Sequence, residues 1–343
     1  MNLMETMTTF GHEKVLFVNN EKAGLKAIIA VHNTVLGPAI GGCRLWPYAS
    51  EEEALFDVMR LSRGMSHKNA AAGLKFGGGK AVIIADPSQK TEAMFEAFGE
   101  AVNSLGGCYI TAEDVNTDCD DAIVMTRKTK YVCGLPAVSG DPSPFTAIGV
   151  WQGIKATAKV ALGTDDLNGV TIAVQGLGKV GYDLCRHLHE SGAKLIIANR
   201  SNKAMAEKAV EEFGAVIVPT EQIYAQECDI FSPNAMGAIL NPTTIPQLKC
   251  KAVAGGANNQ ILDDASGIAL KQKGIFYAPD FVINGGGVIN AAAEVDGPYN
   301  KDAVLAKVDN IYNSIEHILS ESKKTGEPEG VIATRFAESI IYK

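Results

Sequence analysis

Two spacings of apolar residues alternate along the chain and divide it into strands and helices. Residues 14–17 and 25–32 are short β-rich runs, the second with the length and apolar content of a half-buried strand. Residues 37–44, Gly-Pro-Ala-Ile-Gly-Gly-Cys-Arg, follow as a glycine-rich turn. At Ser50 the period becomes helical: Ser50 and Glu53 form a capping box, and Leu55, Val58, Met59 and Met65 keep one apolar stripe up to Lys68. A buried strand over 81–85 stops at Asp86-Pro87, a helix covers 91–105, and a strand over 108–115 contains two acids, Glu113 and Asp114, near its end. Residues 139–144 are turn-rich and precede a long helix over 145–161.

In the second half, strands at 170–175, 194–198, 215–218, 228–234 and 252–260 alternate with helical segments. A long helical stretch starts at 281–291, helical spacing runs from 301 to 323, and a last helix over about 331–343 is expected to fold back on the first domain. The chain has 343 residues, so two domains are expected. The pattern predicts an α/β protein with an N-terminal αβ domain (1–138 plus about 325–343) and a Rossmann-type dinucleotide-binding domain (139–324), hinged at 139–144.

Composition narrows the function. The net charge is −8 and no basic run tracks a phosphate backbone, which argues against nucleic acid. No apolar run reaches the roughly 18 residues of a membrane span, and the N-terminal segment lacks the apolar core of a signal peptide. The seven cysteines are scattered, with no C-x-x-C pair, and read as reduced, mostly buried thiols of a cytoplasmic protein. The histidines form no metal-binding pattern, His187 and His189 lying two apart on different helix faces. No metal is expected.

Two stretches carry chemistry. Residues 68–80, Lys-Asn-Ala-Ala-Ala-Gly-Leu-Lys-Phe-Gly-Gly-Gly-Lys, set lysines among small residues. A lysine in a dry, crowded place either grips a carboxylate or gives up its proton and acts as a base. Taken alone, this window also fits a solvated glycine loop with surface lysines. Asp114, at a strand end in the same domain, could neutralise or relay a lysine proton, or be a solvated loop acid. The second stretch, Gly176-Leu177-Gly178-Lys179-Val180-Gly181, is a G-x-G-x-x-G turn between a strand and a helix, which fits a dinucleotide pyrophosphate. The loops holding Asn234, Ala257 and Asn259 fall at the carboxyl edge of the same predicted sheet, where ligands bind. An NAD site usually has an acid after the second strand. This chain has Asn199-Arg200-Ser201 there, which lifts the repulsion toward a 2′-phosphate and offers Arg200 to pair with it, so NADP is expected to be accepted.

Taken in order, Gly37–Gly42, the 68–80 block, Thr111-Ala112-Glu113-Asp114-Val115, Gly140-Asp141-Pro142-Ser143-Pro144, the Rossmann turn and Ile283-Asn284-Gly285-Gly286-Gly287-Val288 resemble the glutamate/leucine/phenylalanine/valine dehydrogenase family over essentially the whole chain. The resemblance implies reversible oxidative deamination of an L-amino acid to a 2-oxo acid and ammonia, with NAD(P) as cofactor and hydride transfer as the two lobes close. It implies that Lys68 binds the substrate carboxylate, Lys80 is the general base that activates water, and Asp114 exchanges protons with the amine and carbinolamine. Gly42 and Asn259 would hydrogen-bond the substrate, and Thr146 would meet the nicotinamide carboxamide. The family's side-chain pocket maps onto Ile40, Met65, Ala112, Val288 and Ala291. All are apolar, with no lysine for a second carboxylate, which argues against glutamate. Family members acting on leucine tend to carry valine where Ala291 stands, so a roomier pocket is expected here; leucine, valine and isoleucine are the expected substrates, with phenylalanine and tryptophan also considered.

Three departures stand out: Asn116 in place of a glycine, Thr126-Arg127-Lys128-Thr129 in place of a more acidic run, and Asn199 in place of the ribose-binding acid. The competing readings are an NADP-dependent shikimate-type dehydrogenase, suggested by Asn199-Arg200-Ser201, and a non-catalytic amino-acid or dinucleotide sensor. The resemblance further implies a homo-oligomer, dimer or octamer.

Overall fold

The computed structural model describes residues 3–200 and 202–343. It divides into two compact units: residues 1–141, 288–301 and 337–343 form the first, and 142–287 with 302–336 the second. The division expected from sequence differs at two places: 288–301 groups with the first unit, and of the C-terminal helix only the part from Ala337 does.

The first unit opens with α1 (Leu3–Phe10), β1 (Lys14–Asn20), β2 (Leu25–Asn33), β3 (Ala39–Ile40), β4 (Cys43–Trp46), α2 (Glu51–Ala71), β5 (Gly77–Ile84), α3 (Glu92–Ser104), β6 (Tyr109–Ile110) and α4 (Cys119–Thr126). Its sheet runs β1-β2-β5-β3-β6, with β4 also on β5; β1, β2 and β5 are antiparallel neighbours, and the other pairings are parallel. β2 is buried on both faces rather than half-buried. Ile29 and Val31 pack with Phe95 and Phe98 of α3 and Met125 of α4, while Ile28 and Ala30 pack with Val58 and Met59 of α2. That double burial explains its nearly continuous apolar run. The expected turn at 37–44 instead carries two short strands, because β5 offers both of them an edge. Of the expected 108–115 strand only Tyr109–Ile110 pairs as a strand, followed by single bridges at Thr111 and Glu113. α4, which the apolar spacing did not reveal, starts on an Asp118–Asp121 capping box.

The second unit contains α5 (Ser143–Leu162), β7 (Thr171–Gln175), α6 (Lys179–Glu190), β8 (Lys194–Ala198), α7 (Lys203–Phe213), β9 (Val216–Ile217), β10 (Ile230–Pro233), β11 (Ala252–Val253), α8 (Asp264–Gln272), β12 (Phe276–Tyr277) and α9 (Asp280–Ile283). The six strands are parallel in the order β12-β11-β10-β7-β8-β9, so the direction of winding reverses between β7 and β10. The expected helix at 281–291 is broken: α9 stops at Asn284, and α10 (Gly286–Ala292) begins anew. The helical pattern over 301–323 is likewise two helices, α11 (Lys301–Asp309) and α12 (Ile311–Thr325). α13 (Glu329–Ile341) ends the chain, and its Ala337 and Ile341 pack on Ala70 of α2 within the first unit.

Within the first unit the Glu294 carboxylate accepts hydrogen bonds from the backbone N–H of Gly134 (3.1 Å), Leu135 (3.0 Å) and Ser139 (3.2 Å) and from the Ser139 hydroxyl. One acid thereby fixes the segment leading to the unit boundary. All seven cysteines are free, and no helix among the described residues is long and apolar enough to cross a membrane.

Candidate active site

Lys68 lies in the last turn of α2 and Lys80 in β5. Missing side chains bring these elements together. A methyl on Gly78 would fall 2.1 Å from the Ser66 amide nitrogen, and one on Gly77 would fall 1.8 Å from the Asn33 carbonyl oxygen. None of the three glycines at 77–79 has a positive φ, so glycine is needed here for space rather than for its conformational range. The triple glycine is therefore buried strand, which excludes the solvated-loop reading. Of the three lysines in residues 68–80, only Lys75 is exposed. The Asn69 amide locks the helix end by donating to the Gly77 carbonyl at 2.7 Å.

Side chains alternate along β5, so positions 78, 80 and 82 share the face that α2 covers. Lys80 is 6% exposed, and its Nζ lies 2.9 Å from Asp114 Oδ1. Gly42 sits opposite Lys80, between the Ile40–Gly78 and Cys43–Ala81 pairings. A methyl there would fall 2.2 Å from the Glu113 carbonyl oxygen and 3.0 Å from Asp114 Cβ, so Gly42 gives Asp114 its room. The Asp114 amide donates to the Thr117 hydroxyl at 2.8 Å, and that hydroxyl donates to the Cys43 carbonyl at 2.7 Å. Asn116 adopts φ +60°, a conformation asparagine tolerates, and donates to the Leu45 carbonyl at 3.0 Å. Glycine at 116 would accept the same φ.

Burial alone would push the Asp114 carboxyl up; the Lys80 ammonium and Arg44 guanidinium beside it outweigh that and hold it at about 2. Arg44 Nε donates to Asp114 Oδ2 at 3.0 Å. Arg44 was missed as a site residue, because a lone arginine in a glycine-rich segment gives no sign of a partner seventy positions away.

Of the apolar set, Ile40 is buried, and Met65, Ala112, Val288 and Ala291 are half-buried. Met65 lies against Gly41, beside Ile40, its Cγ 3.2 Å from where a Gly41 methyl would stand. Val288 and Ala291 fall one helical turn apart on α10, in the same unit as the lysines. Asn259 and Thr146 belong to the second unit.

A polar layer lies behind α2. His32 Nδ1 is 2.7 Å from the Ser66 hydroxyl, His12 Nε2 is 2.7 Å from the Ser62 hydroxyl, and the His12–His32 and His32–His67 ring centroids are 4.9 and 6.4 Å apart. Burial pulls all three down to about 4, helped by neighbouring positive groups. Among the described residues no cluster is suited to a metal ion.

In the second unit, Gly176 takes φ +93°, and a methyl on it would meet Ala235 Cβ at 2.7 Å; one on Gly181 would fall 2.0 Å from the Gly176 carbonyl oxygen. Gly178, the N-cap of α6, faces open space, and no side chain caps this helix. By contrast α2, α3, α4, α7 and α8 all have a side-chain cap. An uncapped helix N-terminus at the sheet's reversal point fits a pyrophosphate. Lys179 and Val180 open α6, with Val180 beside Gly256. Asn234 Oδ1 accepts from the Gly256 amide at 2.8 Å, and the Ala257 amide donates to the Pro233 carbonyl at 3.0 Å. Asn259 is exposed with φ +50°. Thr146 Oγ1 donates to the Pro142 carbonyl at 3.1 Å and lies 2.7 Å from where a Gly287 methyl would stand. Asn199 Oδ1 accepts from the Leu177 amide at 3.4 Å, its Nδ2 donates to the Asn202 carbonyl at 2.9 Å, and Arg200 is exposed. Ser201 lies outside the described residues.

A parallel sheet of this order with an open phosphate cradle, in a chain whose other unit carries a buried lysine–aspartate pair, fits the class of NAD(P)-dependent dehydrogenases. Residues 12–131 match the Glu/Leu/Phe/Val dehydrogenase dimerisation domain, and residues 195–334 match the Glutamate/Leucine/Phenylalanine/Valine dehydrogenase family. The chain is 53% identical to the leucine dehydrogenase of Geobacillus stearothermophilus, over 99% of this chain and 94% of that one. It is 47% identical to the phenylalanine dehydrogenase of Bacillus thermotolerans, over 99% and 92%. The crystal structure of L-tryptophan dehydrogenase from Nostoc punctiforme superposes with a TM-score of 0.90 at 44% identity, covering 99% of this chain and 98% of that one. The chain belongs to the glutamate/leucine/phenylalanine/valine dehydrogenase family. It is an amino acid dehydrogenase, an oxidoreductase that deaminates apolar amino acids oxidatively and reversibly, and the shikimate-type and non-catalytic readings fall away.

Proposed function

We propose that the protein oxidises L-leucine, with L-valine and L-isoleucine as further substrates and phenylalanine or tryptophan at lower rates, to the 2-oxo acid and ammonia. The observation that carries the site assignment is the buried Lys80–Asp114 pair at 2.9 Å. In this reading Lys68 holds the substrate carboxylate, Gly42 and Asn259 fix its polar groups, and Ile40, Met65, Ala112, Val288 and Ala291 enclose its side chain. Their apolar character and the sequence likeness to enzymes of leucine, phenylalanine and tryptophan support this substrate class. A glutamate side chain would bury a carboxylate without a partner.

Asp114 takes a proton from the substrate amine and returns it to the carbinolamine nitrogen as ammonia leaves, and Lys80, acting as the free amine, takes one from the water that attacks the imino carbon. At hydrogen-bond distance a proton passes between them without either side chain moving. Bound nicotinamide supplies the acceptor for the substrate Cα hydride. Gly176, Gly178, Lys179, Val180 and Gly181 hold the pyrophosphate, Asn234 and Ala257 line the sheet edge, and Thr146 meets the carboxamide. Asn199 and Arg200 tolerate a 2′-phosphate, so NADP serves as well as NAD. The first unit carries the substrate and the subunit contacts, in a dimer or octamer in the cytoplasm.

Two measurements test this reading. A matrix of amino acids against NAD and NADP, followed by absorbance of the reduced cofactor, should give the highest kcat/KM with branched aliphatic substrates; activity on glutamate alone would refute the pocket. Lys80→Ala should lower kcat by orders of magnitude while the variant still folds, and near wild-type turnover would overturn the assignment of the base.

A further inference from the structure

The Lys80–Asp114 pair is the inner end of a line of alternating charges. Arg44 on β4 donates through Nε to Asp114 Oδ2 and through Nη1 to Asp57 Oδ2, both at 3.0 Å. Tyr48 donates its hydroxyl to the same Asp57 oxygen at 2.7 Å, and Arg60 Nη2 donates to Asp57 Oδ1 at 3.2 Å. Lys80, Asp114, Arg44, Asp57 and Arg60 thus alternate in sign from the buried strand to the surface. The outer members line a cavity of about 730 Å³ with Trp46, Phe56 and Val115.

We propose that Arg44 is a positioning residue for the proton-transfer pair, and that Asp57 tunes it from the second position. Asp114 has two oxygens with different tasks: Oδ2 is pinned by Arg44, which leaves Oδ1 turned to Lys80. Asp57, held by Tyr48 and Arg60, fixes the orientation of the guanidinium by occupying its other arm. A guanidinium offers donors in a rigid fork, which a lysine cannot reproduce. Burial opposes charge on Arg44, and Asp114 and Asp57 outweigh it, so the positive charge is permanent. The groups facing Asp114 are Lys80 from β5 and Arg44 from β4, with the neutral Cys43 thiol and Tyr109 hydroxyl close by. Asp57 faces Arg44, Tyr48 and Arg60.

The inference rests on the proposed roles of Lys80 and Asp114. A fixed positive charge on the pair weakens its hold on a proton, and a negative charge one step further out partly cancels that effect. The signs of two substitutions therefore differ. Arg44→Gln should move the rising limb of the kcat/KM profile for deamination to higher pH, by about one unit, and lower kcat about tenfold or more. Asp57→Asn should move the same limb to lower pH by a smaller amount. Arg44→Lys keeps the charge and loses the fork, so the limb stays in place while kcat falls. The substrate amine titrates identically in every variant, so it cancels from the differences.

The test is the pH profile of purified wild type, Arg44→Gln, Arg44→Lys, Asp57→Asn and Asp114→Asn, each checked by thermal midpoint. Opposite displacements for Arg44→Gln and Asp57→Asn support the proposal, since loss of packing alone would not give opposite signs. Profiles of folded Arg44 and Asp57 variants that overlay wild type, with Asp114→Asn inactive, overturn the positioning role alone. If Arg44→Gln does not fold, Asp57→Asn and Arg44→Lys decide. Wild-type turnover in Asp114→Asn would overturn the reading of Asp114 and the proposal with it.

Discussion

Two glycine-rich stretches organise this enzyme, and they use glycine for opposite reasons. At 77–79 the glycines lie inside a strand, with ordinary φ values and almost no free space around them. Their lack of side chains lets α2 settle onto β5. At 176–181, Gly176 needs its left-handed backbone and Gly181 its closeness to the Gly176 carbonyl, while Gly178 has open space where a side chain would be. The first stretch is built to be filled by protein, and the second leaves room for a ligand. The same contrast extends to the helix ends. α2 is capped by Ser50 and finishes against β5, whereas α6 begins with no side-chain cap.

The contrast breaks most sharply at Gly78. Gly78→Ala would place a methyl 2.1 Å from backbone, which cannot rotate away, so we expect a loss of about 3 kcal/mol or more, or failure to fold. A soluble variant with wild-type thermal midpoint would show that α2 can retreat. Next in size is the polar layer that supports the first stretch. His12, His32 and His67 sit at about 4 in the folded protein and near 6.5 when unfolded. The unfolded chain therefore binds more protons between those values. Stability contributed by the neutral rings is complete above pH 6.5 and drains away as pH falls toward 4. Thermal midpoints from pH 7 to 4.5 should fall steeply, and less steeply in His67→Asn; equal slopes in the two proteins would exclude the cluster as the cause.

A milder effect is expected at Gly178. Gly178→Ala should leave the thermal midpoint of the free enzyme unchanged, since nothing lies near the added methyl and φ is −76°. It should raise the KM for dinucleotide about tenfold by intruding on the phosphate, equivalent to about 1.4 kcal/mol. An unchanged KM would move the phosphate site elsewhere. The smallest effect belongs to Asn116. Both Asn116→Gly and Asn116→Ala give up the bond to the Leu45 carbonyl, worth about 1 kcal/mol or less, and Asn116→Ala should cost about 1 kcal/mol more than Asn116→Gly, because glycine accepts φ +60° and alanine resists it. Equal midpoints for the two variants would remove the backbone explanation of this substitution.

Much was legible in the sequence because it depends on local spacing. The Ser50 cap, the period of α2, the β2 run and the strand–turn–helix around Gly176 are each set by residues within a few positions of one another. Tertiary structure decided what depends on distant partners. The triple glycine could be read as solvated loop or as part of a crowded site, because a glycine run gives the same local signal whether it is solvated or pressed under a helix; the packing of Ser66 on Gly78 makes it strand. The break at Asn284–Gly285 lay hidden in an apolar spacing that continues across it. Arg44, Asp57 and Tyr48 had no motif, since their meaning comes from Asp114, contributed by another part of the chain. The histidines at 12, 32 and 67 likewise acquire their lowered proton affinity only when β2 and α2 enclose them. Sequence alone therefore determined most of the elements and pointed to two sets of candidate ligand-facing residues, because periodicity and turn chemistry act over a few residues. The electrostatic setting of Asp114 came only from the fold, because charge and burial act through space.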